Sequence, residues 1–360
     1  MNNQSLAGGL PKLTFLKRLT VELGVVQHAR FGVPDLRHGY CLDDNARALV
    51  LIVRYLHTTK RHSEPLLRMA GRYLSYINVA QREDGLMHNL MSFNHHFLDD
   101  VGSDDSFGRA VWGLGECILF GPEEGLRDLA KELFDRALPH MAGLESIRAQ
   151  AYCLLGLSSF LRRYRGHTEA KAAAESIVGR LTHLYPKNAE PTWTWFEQYL
   201  TYSNALLPYG LIEIGRVLKD KSAVKTGLES LSWVLTQTEI EHNEHMVAAP
   251  IGSNGWYIRG KERAMFDQQP VDVGLTVLAC ASAYRASKQK GWVLAAERWH
   301  SWFLGHNMLD KPVADVKDGS SCDGLHATRV NKNRGAESTI MFLLSQLEIY
   351  RLNKKDASRV

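Results

Sequence analysis

Two aspartates stand side by side in "GSDDSFGRAVWGLG", residues 102–115, and two more in "YCLDDNARAL", residues 40–49. Paired carboxylates can do acid–base work when their surroundings push their pKa values apart. They can equally be helix starters, because a first turn exposes unpaired N–H groups and the positive end of the helix dipole. Further acids stand ahead of later segments: Glu197, Asp267 (followed by Gln268), Asp272, Asp323 and Glu337. In "TWTWFEQYLTY", Trp193, Trp195, Phe196, Tyr199 and Tyr202 surround Glu197. Aromatic faces stack on sugar rings, and an apolar wall disfavours an ionised carboxyl, so Glu197 suits a general acid. Asp104 and Asp105 sit among Ser103, Ser106 and Arg109, a polar setting that suits a base. Two such carboxylates are what glycoside cleavage needs, and an inverting enzyme holds them roughly 6.5–9.5 Å apart to admit a water.

These residues are far apart in sequence, so the elements must gather them. Most of the chain has helical periodicity: "DDNARALVLIVRYLHTT" places Ala46, Leu49, Val50 and Val53 on one face. One type of segment recurs six times: "LDDNARALVLIVRYL", "DDSFGRAVWGLGECIL", "SIRAQAYCLLGLSSFL", "YSNALLPYGLIEIGRVL", "PVDVGLTVLACASAYRA" and "GAESTIMFLLSQLEIYRL". Each is polar at its head, then small and apolar all round, which marks a buried helix. Charged amphipathic segments such as "HSEPLLRMAGRYLSYI" and "TEAKAAAESIVGRLTHLY" lie between them and read as outer helices. Six helical hairpins at this spacing predict an all-α, (α/α)6 toroid built as one domain over residues 1–360, with its core at about 24–350. Strand alternation is almost absent; residues 245–260 are the best candidate, and one or two tiny hairpins are expected. The glycines of "GRAVWGLG" would let inner helices approach closely, and Glu145 of the third segment reads as structural. In a toroid the inner-helix N-termini open on one face, so the acids would ring one cavity.

Composition narrows the function. The chain carries 43 basic and 39 acidic residues, a net charge of +4, with no basic stripe interleaved with aromatics. Nucleic acid is therefore not an expected partner. Its five cysteines show no CxxC and read as reduced thiols, Cys41 and Cys322 packing near the cavity. The start of the chain lacks a basic stretch, apolar run and small-residue cleavage site, and no segment approaches the ~18–20 apolar residues of a membrane span. A cytoplasmic location, with no membrane partner, is expected. "EHNEH" and "NHH" do not have metal-ligand spacing, and the glycine-rich stretch follows no strand and lacks a P-loop lysine, so neither a metal nor another cofactor is expected.

"HGYCLDDNARAL", "DGLMHNLMSF", "DDVGSDDSFGRAVWGLG" and "WTWFEQYLTYSNALLP" together resemble the (α/α)6-toroid carbohydrate-active enzymes. The likeness is to a bacterial group of glycosidase-like proteins, also found as C-terminal domains of glycosyltransferases, and covers roughly residues 24–350. It implies motif positions at His38, Tyr40, Asp43, Asp44, Asn45, Arg47, Asp84, Asn89, Asp104, Asp105, Arg109, Trp195, Glu197 and Asn204. It also implies a mannoside context, with a β-mannoside as the expected substrate. Where the group carries an arginine pair, this chain has His95 and His96, a change of charge beside the substrate.

The combined expectation is a glycoside hydrolase acting on an oligosaccharide. Glu197 is the expected acid and Asp104 or Asp105 the base, with Asp44 and Glu337 holding hydroxyls or replacing one of the pair. Trp193, Trp195 and Trp256 would stack on sugar rings, while His38, Arg47, Arg109 and Arg334 hydrogen-bond them. Tyr40, Asp43, Asn89, Tyr199, Asn204, Asp267 and Gln268 complete the expected sugar contacts. The rival readings are an epimerase or isomerase using His38, His88 or His326, a phosphorylase with Arg334 and Lys332 as its phosphate pocket, and a non-catalytic glycan-binding subunit.

Overall fold

Six helices of small and apolar residues close on themselves in a computed structural model that describes residues 8–357. The first seven residues, part of the stretch read for a targeting segment, lie outside the described residues. In chain order the helices are α1 (Thr14–Leu19), α2 (Leu42–Thr59), α3 (Glu64–Ala80), α4 (Asp104–Phe120), α5 (Glu124–Ala137) and α6 (Ile147–Arg163). They continue as α7 (Thr168–Asn188), α8 (Leu206–Leu218), α9 (Lys221–Thr238), α10 (Pro270–Ser287), α11 (Gly291–Ser301) and α12 (Ala336–Ala357). Helix α2 packs on α4, α4 on α6, α6 on α8, α8 on α10, α10 on α12, and α12 returns to α2. Each inner helix is backed by an outer one: α3, α5, α7, α9 and α11 lie on α2, α4, α6, α8 and α10, and the short α1 lies on α12. The fold is the all-α (α/α)6 toroid.

The sequence explains both layers. Helix α10 has apolar or small residues on every side and is buried from Pro270 to Tyr284, with its proline in the first turn where no N–H is needed. Helix α5 buries Ala130, Leu133, Phe134 and Ala137 and leaves its charges outside. Side chains close the first turns: Ser103 Oγ accepts from Ser106 N on α4, and Ser146 Oγ from Ala149 N on α6. Inner helices touch backbone to backbone. A Cβ at Gly115 would collide with the Gly156 carbonyl oxygen, and one at Gly156 with that of Val111.

Strand structure is richer than one or two hairpins, though still minor. The described residues hold six two-stranded antiparallel pairs, all in loops. Glu239–His242 pairs with His245–Ala248 through Asn243 and Glu244, both at positive φ (47° and 64°), as a tight two-residue turn demands. Tyr40–Cys41 pairs with Leu90–Met91, which ties the start of α2 to the loop after α3.

Charge fills the end of the ring where the inner helices finish. Arg54 of α2 forks onto Glu116 of α4 at 2.7 and 2.9 Å, and Ser159 of α6 donates to the same carboxylate at 2.8 Å. Arg162 of α6 and Ser282 of α10 meet on Glu213 of α8, and Arg285 of α10 pairs with Glu348 of α12. All five cysteines are free thiols, and among the described residues no helix is long and apolar enough to cross a membrane.

The close α4–α6 contact is testable. Gly156→Val should lower stability by about 1–3 kcal/mol, because the branched side chain forces two packed backbones apart. Urea unfolding measures this, and an unchanged midpoint would contradict the packing described.

Candidate active site

The start of α2 is the centre of the site. Asp43 and Asp44 occupy its first turn and Arg47 follows one turn later, on the same side. Asp44 and Arg47 are buried, while Asp43 is partly open. Arg47 Nη1 lies 3.0 Å from Asp44 Oδ1, and its Nη2 reaches across the ring to Glu337 Oε2 at 2.5 Å. Cys41 Sγ donates to Asp44 Oδ2 at 3.2 Å. Asp43 accepts from Arg109 Nη1 of α4 at 2.6 Å and from Asn89 Nδ2 at 3.2 Å. Arg109 also approaches Asp105 at 3.4 Å, and its guanidinium lies over the Tyr152 ring.

Asp104 and Asp105 part company. Asp104 Oδ2 accepts the backbone N–H groups of Glu145 and Ser146 at 2.7 and 2.9 Å, so it clamps the loop before α6. Asp105 faces the ring, taking Ser146 Oγ at 2.8 Å and the Tyr202 hydroxyl at 3.0 Å. Asp104, expected as an alternative base, is therefore corrected to a structural clamp.

Glu197 does not sit against a bare aromatic wall. Arg148 of α6 holds both its oxygens, Nη1 on Oε1 at 3.2 Å and Nη2 on Oε2 at 2.9 Å, while Arg148 Nε donates to Tyr202 O at 2.9 Å. That paired setting departs from the apolar one expected of an acid. Trp193 and Trp195 are also corrected: at 3% and 0% exposure they are core, packed on Trp233, and no sugar can reach them. Trp256 and Tyr199 remain accessible, Trp256 with its ring 6.3 Å from Tyr202.

Three expected contacts are taken up by the fold. Gln268 is fully buried, accepting from Trp302 Nε1 and donating to Met265 O. Asn204 closes a turn on Thr201, and Tyr40 is buried in its strand. Arg334 donates to Ser320 Oγ at 2.7 Å. Asp267 pairs with His326 Nδ1 at 2.7 Å, and His38 lies beside His28 with ring centroids 4.6 Å apart. His28, His38, Asp323 and His326 line a cavity of about 1150 Å³. Asp323 accepts from Gly335 N at 2.6 Å, just before α12 and Glu337, so this cavity opens at the same end of the ring.

Sequence reading missed Arg148 and Ser146 as part of this constellation, took Tyr202 for part of an aromatic wall around Glu197 rather than a donor to Asp105, and passed over Asp272 as a reactive group. Arg148 stands in the first turn of α6, two residues after Ser146, without the paired acids that precede Arg47 and Arg109. Asp272 is buried at the start of α10, and its Oδ2 has no hydrogen-bond partner. Among the described residues no three His, Cys, Asp or Glu side chains gather as metal ligands.

The electrostatics separate the acids. Burial opposes ionisation of Asp43, but Arg109 and Arg47 outweigh it and hold its carboxyl below the usual range. Burial dominates at Asp44, and with Glu337 and Asp43 nearby it overrides Arg47, pushing the carboxyl up to about 7. Burial likewise pushes Asp272 to about 7 despite a backbone N–H from Ser203. Tyr202 is pushed up to about 12 by burial and by Asp105.

Because the folded pKa of Asp44 lies above its unfolded value of 3.8, its protonation favours the fold. That contribution is complete below about pH 4 and is lost as pH rises through about 7. Asp44→Asn, which cannot ionise, should therefore gain melting temperature relative to the parent between pH 5 and pH 8. A difference that stays flat with pH would contradict the burial of this carboxyl.

Comparison with protein-family models and with curated proteins finds no match. Solved structures do match. The cellobiose 2-epimerase of Bacillus thermoamylovorans is 10% identical, with a TM-score of 0.72 over 96% of either chain. A sugar epimerase from a ruminal bacterium is 12% identical, with a TM-score of 0.71 over 97% of this chain and 98% of that one. A GH76 α-1,6-mannanase from Salegentibacter sp. is 12% identical, with a TM-score of 0.64 over 98% of this chain and 99% of that one. The mannanase has also been solved with α-1,6-mannotetrose, as an inactive variant in which two consecutive aspartates are replaced by alanine. At these identities the likeness is one of architecture, and the chain is an (α/α)6 toroid of the kind on which these sugar-processing enzymes are built.

Proposed function

We propose that the chain is an enzyme that hydrolyses a glycosidic bond in a mannose-containing oligosaccharide, using the consecutive aspartates Asp43 and Asp44. One observation carries this reading: two adjacent carboxyls at the centre of the ring have opposite environments. Asp44 keeps a proton near neutral pH, while Asp43 is a carboxylate held by Arg109 and Asn89. Asp44 gives its proton to the leaving glycosidic oxygen as the bond to the anomeric carbon breaks. A water attacks that carbon and passes its proton to Asp43, so the products are two sugars and the acids reset through solvent. Arg47, Arg109 and Asp105 orient this pair, and Trp256 with Tyr199 offers the accessible aromatic faces. Of the rings expected to stack, Trp256 stays a candidate, and Tyr199 joins it in place of the buried Trp193 and Trp195. The inactive mannanase variant, changed at two consecutive aspartates, supports a consecutive pair as the reacting groups; the opposite environments of Asp43 and Asp44 select them over Asp104 and Asp105. The mannanase's α-1,6 specificity broadens the expected substrate from β-mannosides to mannosides of either anomer.

A second reading has its own observation. His326 is oriented at Nδ1 by Asp267, the arrangement of a histidine base, and it lines the adjacent cavity. An epimerase or isomerase would use it to move a carbon-bound proton.

Hydrolysis predicts reducing ends released from manno-oligosaccharides, with kcat falling as pH rises past about 7 as Asp44 loses its proton. Asp44→Asn and Asp43→Asn should each cost about 10²–10⁴-fold in kcat. No release from any manno- or gluco-oligosaccharide would defeat this reading. Deuterium gained by mannose in D2O, abolished by His326→Asn, would establish the second.

A further inference from the structure

The large cavity beside the carboxylates has the opposite charge. Arg30, Lys311, Arg329 and Lys332 line it, and none of the four is in an ion pair among the described residues. The arginines of the neighbouring ring behave differently: Arg47, Arg109 and Arg148 all hold carboxylates. Two acids share the cavity, and both are occupied. Asp35 is forked by Arg37 at 2.9 and 2.6 Å, and Asp323 accepts the Gly335 N–H. Three histidines, His28, His38 and His326, add ring N–H donors to the same lining.

One wall is shaped for a ring. Ala29–Arg30 and Val33–Pro34 form a hairpin closed by Phe31 and Gly32, both in the left-handed region (φ 53° and 92°). A two-residue turn requires positive φ at both of its positions, and here it sets Phe31 at the hairpin tip. Phe31 is 66% exposed on the lining of this cavity, with the Arg30 guanidinium 5.7 Å from its centroid. A flat apolar face beside free cations fits a sugar that carries an anionic substituent.

We infer that this cavity is a subsite for an anionic saccharide unit, stacked on Phe31, with its phosphoryl or carboxylate group met by Arg30, Lys311, Arg329 and Lys332. It rests on the reading of the neighbouring carboxylates as the sugar-processing centre and names the substrate class for it. The acids of the ring repel the anion, so the charged unit lies in the cavity while a neutral unit lies over Asp43 and Asp44.

Calorimetry tests this without requiring turnover. Mannose, mannose 6-phosphate, glucuronate and inorganic phosphate are titrated separately into the full chain at low and at 0.5 M salt. At low salt mannose 6-phosphate or glucuronate should bind at least tenfold more tightly than mannose, and salt should erode that advantage. The double variant Arg329→Glu, Lys332→Glu should abolish it and leave mannose binding unchanged; the milder Arg329→Gln, Lys332→Gln should do the same in part. Phe31→Ala should weaken every sugar. The inference is overturned if both anionic sugars bind no better than mannose, if charge reversal leaves their advantage intact, or if inorganic phosphate binds as tightly as mannose 6-phosphate. Failure of hydrolysis alongside a preserved anionic preference would defeat the catalytic reading and leave the subsite standing.

Discussion

A guanidinium buried among packed helices must find a carboxylate there, because leaving either charge unpaired costs several kcal/mol. Arg47, Arg109 and Arg148 are all buried, and each finds a carboxylate beyond its own helix. Arg47 on α2 reaches Glu337 on α12, across the seam where the last inner helix packs on the first. Arg109 on α4 reaches back to Asp43 on α2, and Arg148 on α6 reaches forward to Glu197 before α8. The site and the toroid are thus specified by the same contacts. Moving Glu197 would strand the Arg148 charge in the core, while Arg47 and Arg109 each have two acids to share.

The two ends of the ring obey the helix dipole in opposite senses. Where the inner helices begin, acids outnumber bases and face the positive dipole ends, as Asp43, Asp44, Asp272 and Glu337 do. Where they finish, Arg54, Arg162, Arg216, Arg285 and Arg351 outnumber Glu116, Glu213 and Glu348. The surplus cations sit among the negative dipole ends. Burial nonetheless strains that end: it pulls Arg285 down to about 10, even with Glu213 nearby. The first end presents acids open to a ligand, notably Glu337 and Asp43, beside a carboxyl poised near neutrality.

The architecture was legible because it depends on pattern. Helices such as α10, apolar on all sides, can only be interior, and α5, with one charged face, only exterior. Six repeats of that alternation leave little but a closed ring. The carboxylates were legible as a set, since acids recur at inner-helix starts, but not as individuals. Asp104 and Asp105 are neighbours in sequence, yet about 100° of rotation between successive helix positions sends one to a loop and the other into the ring. Trp193 and Trp195 misled for a related reason. Aromatic residues near an acid suit a sugar platform or a core equally well, and exposure decides between them. Arg148 was hidden because its role depends on Glu197, nearly fifty residues away, which no local pattern connects.

The proton on Asp44 follows from a shortage. Arg47 is shared between Asp44, at 3.0 Å, and Glu337, at 2.5 Å, and one positive charge cannot neutralise two carboxylates. Arg109 is no help, because Asp43 and Asp105 already divide it. Glu337 is the more exposed of the Arg47 pair, 41% against 8%, so water supports its charge while the buried partner has none to spare. Burial with only a share of Arg47 therefore favours a proton on Asp44. An acid that is protonated because it is buried, with its one cation shared with a neighbouring carboxylate, needs no unusual chemistry of its own. It needs Arg47 kept between two helices at opposite ends of the chain, which closure of the ring supplies.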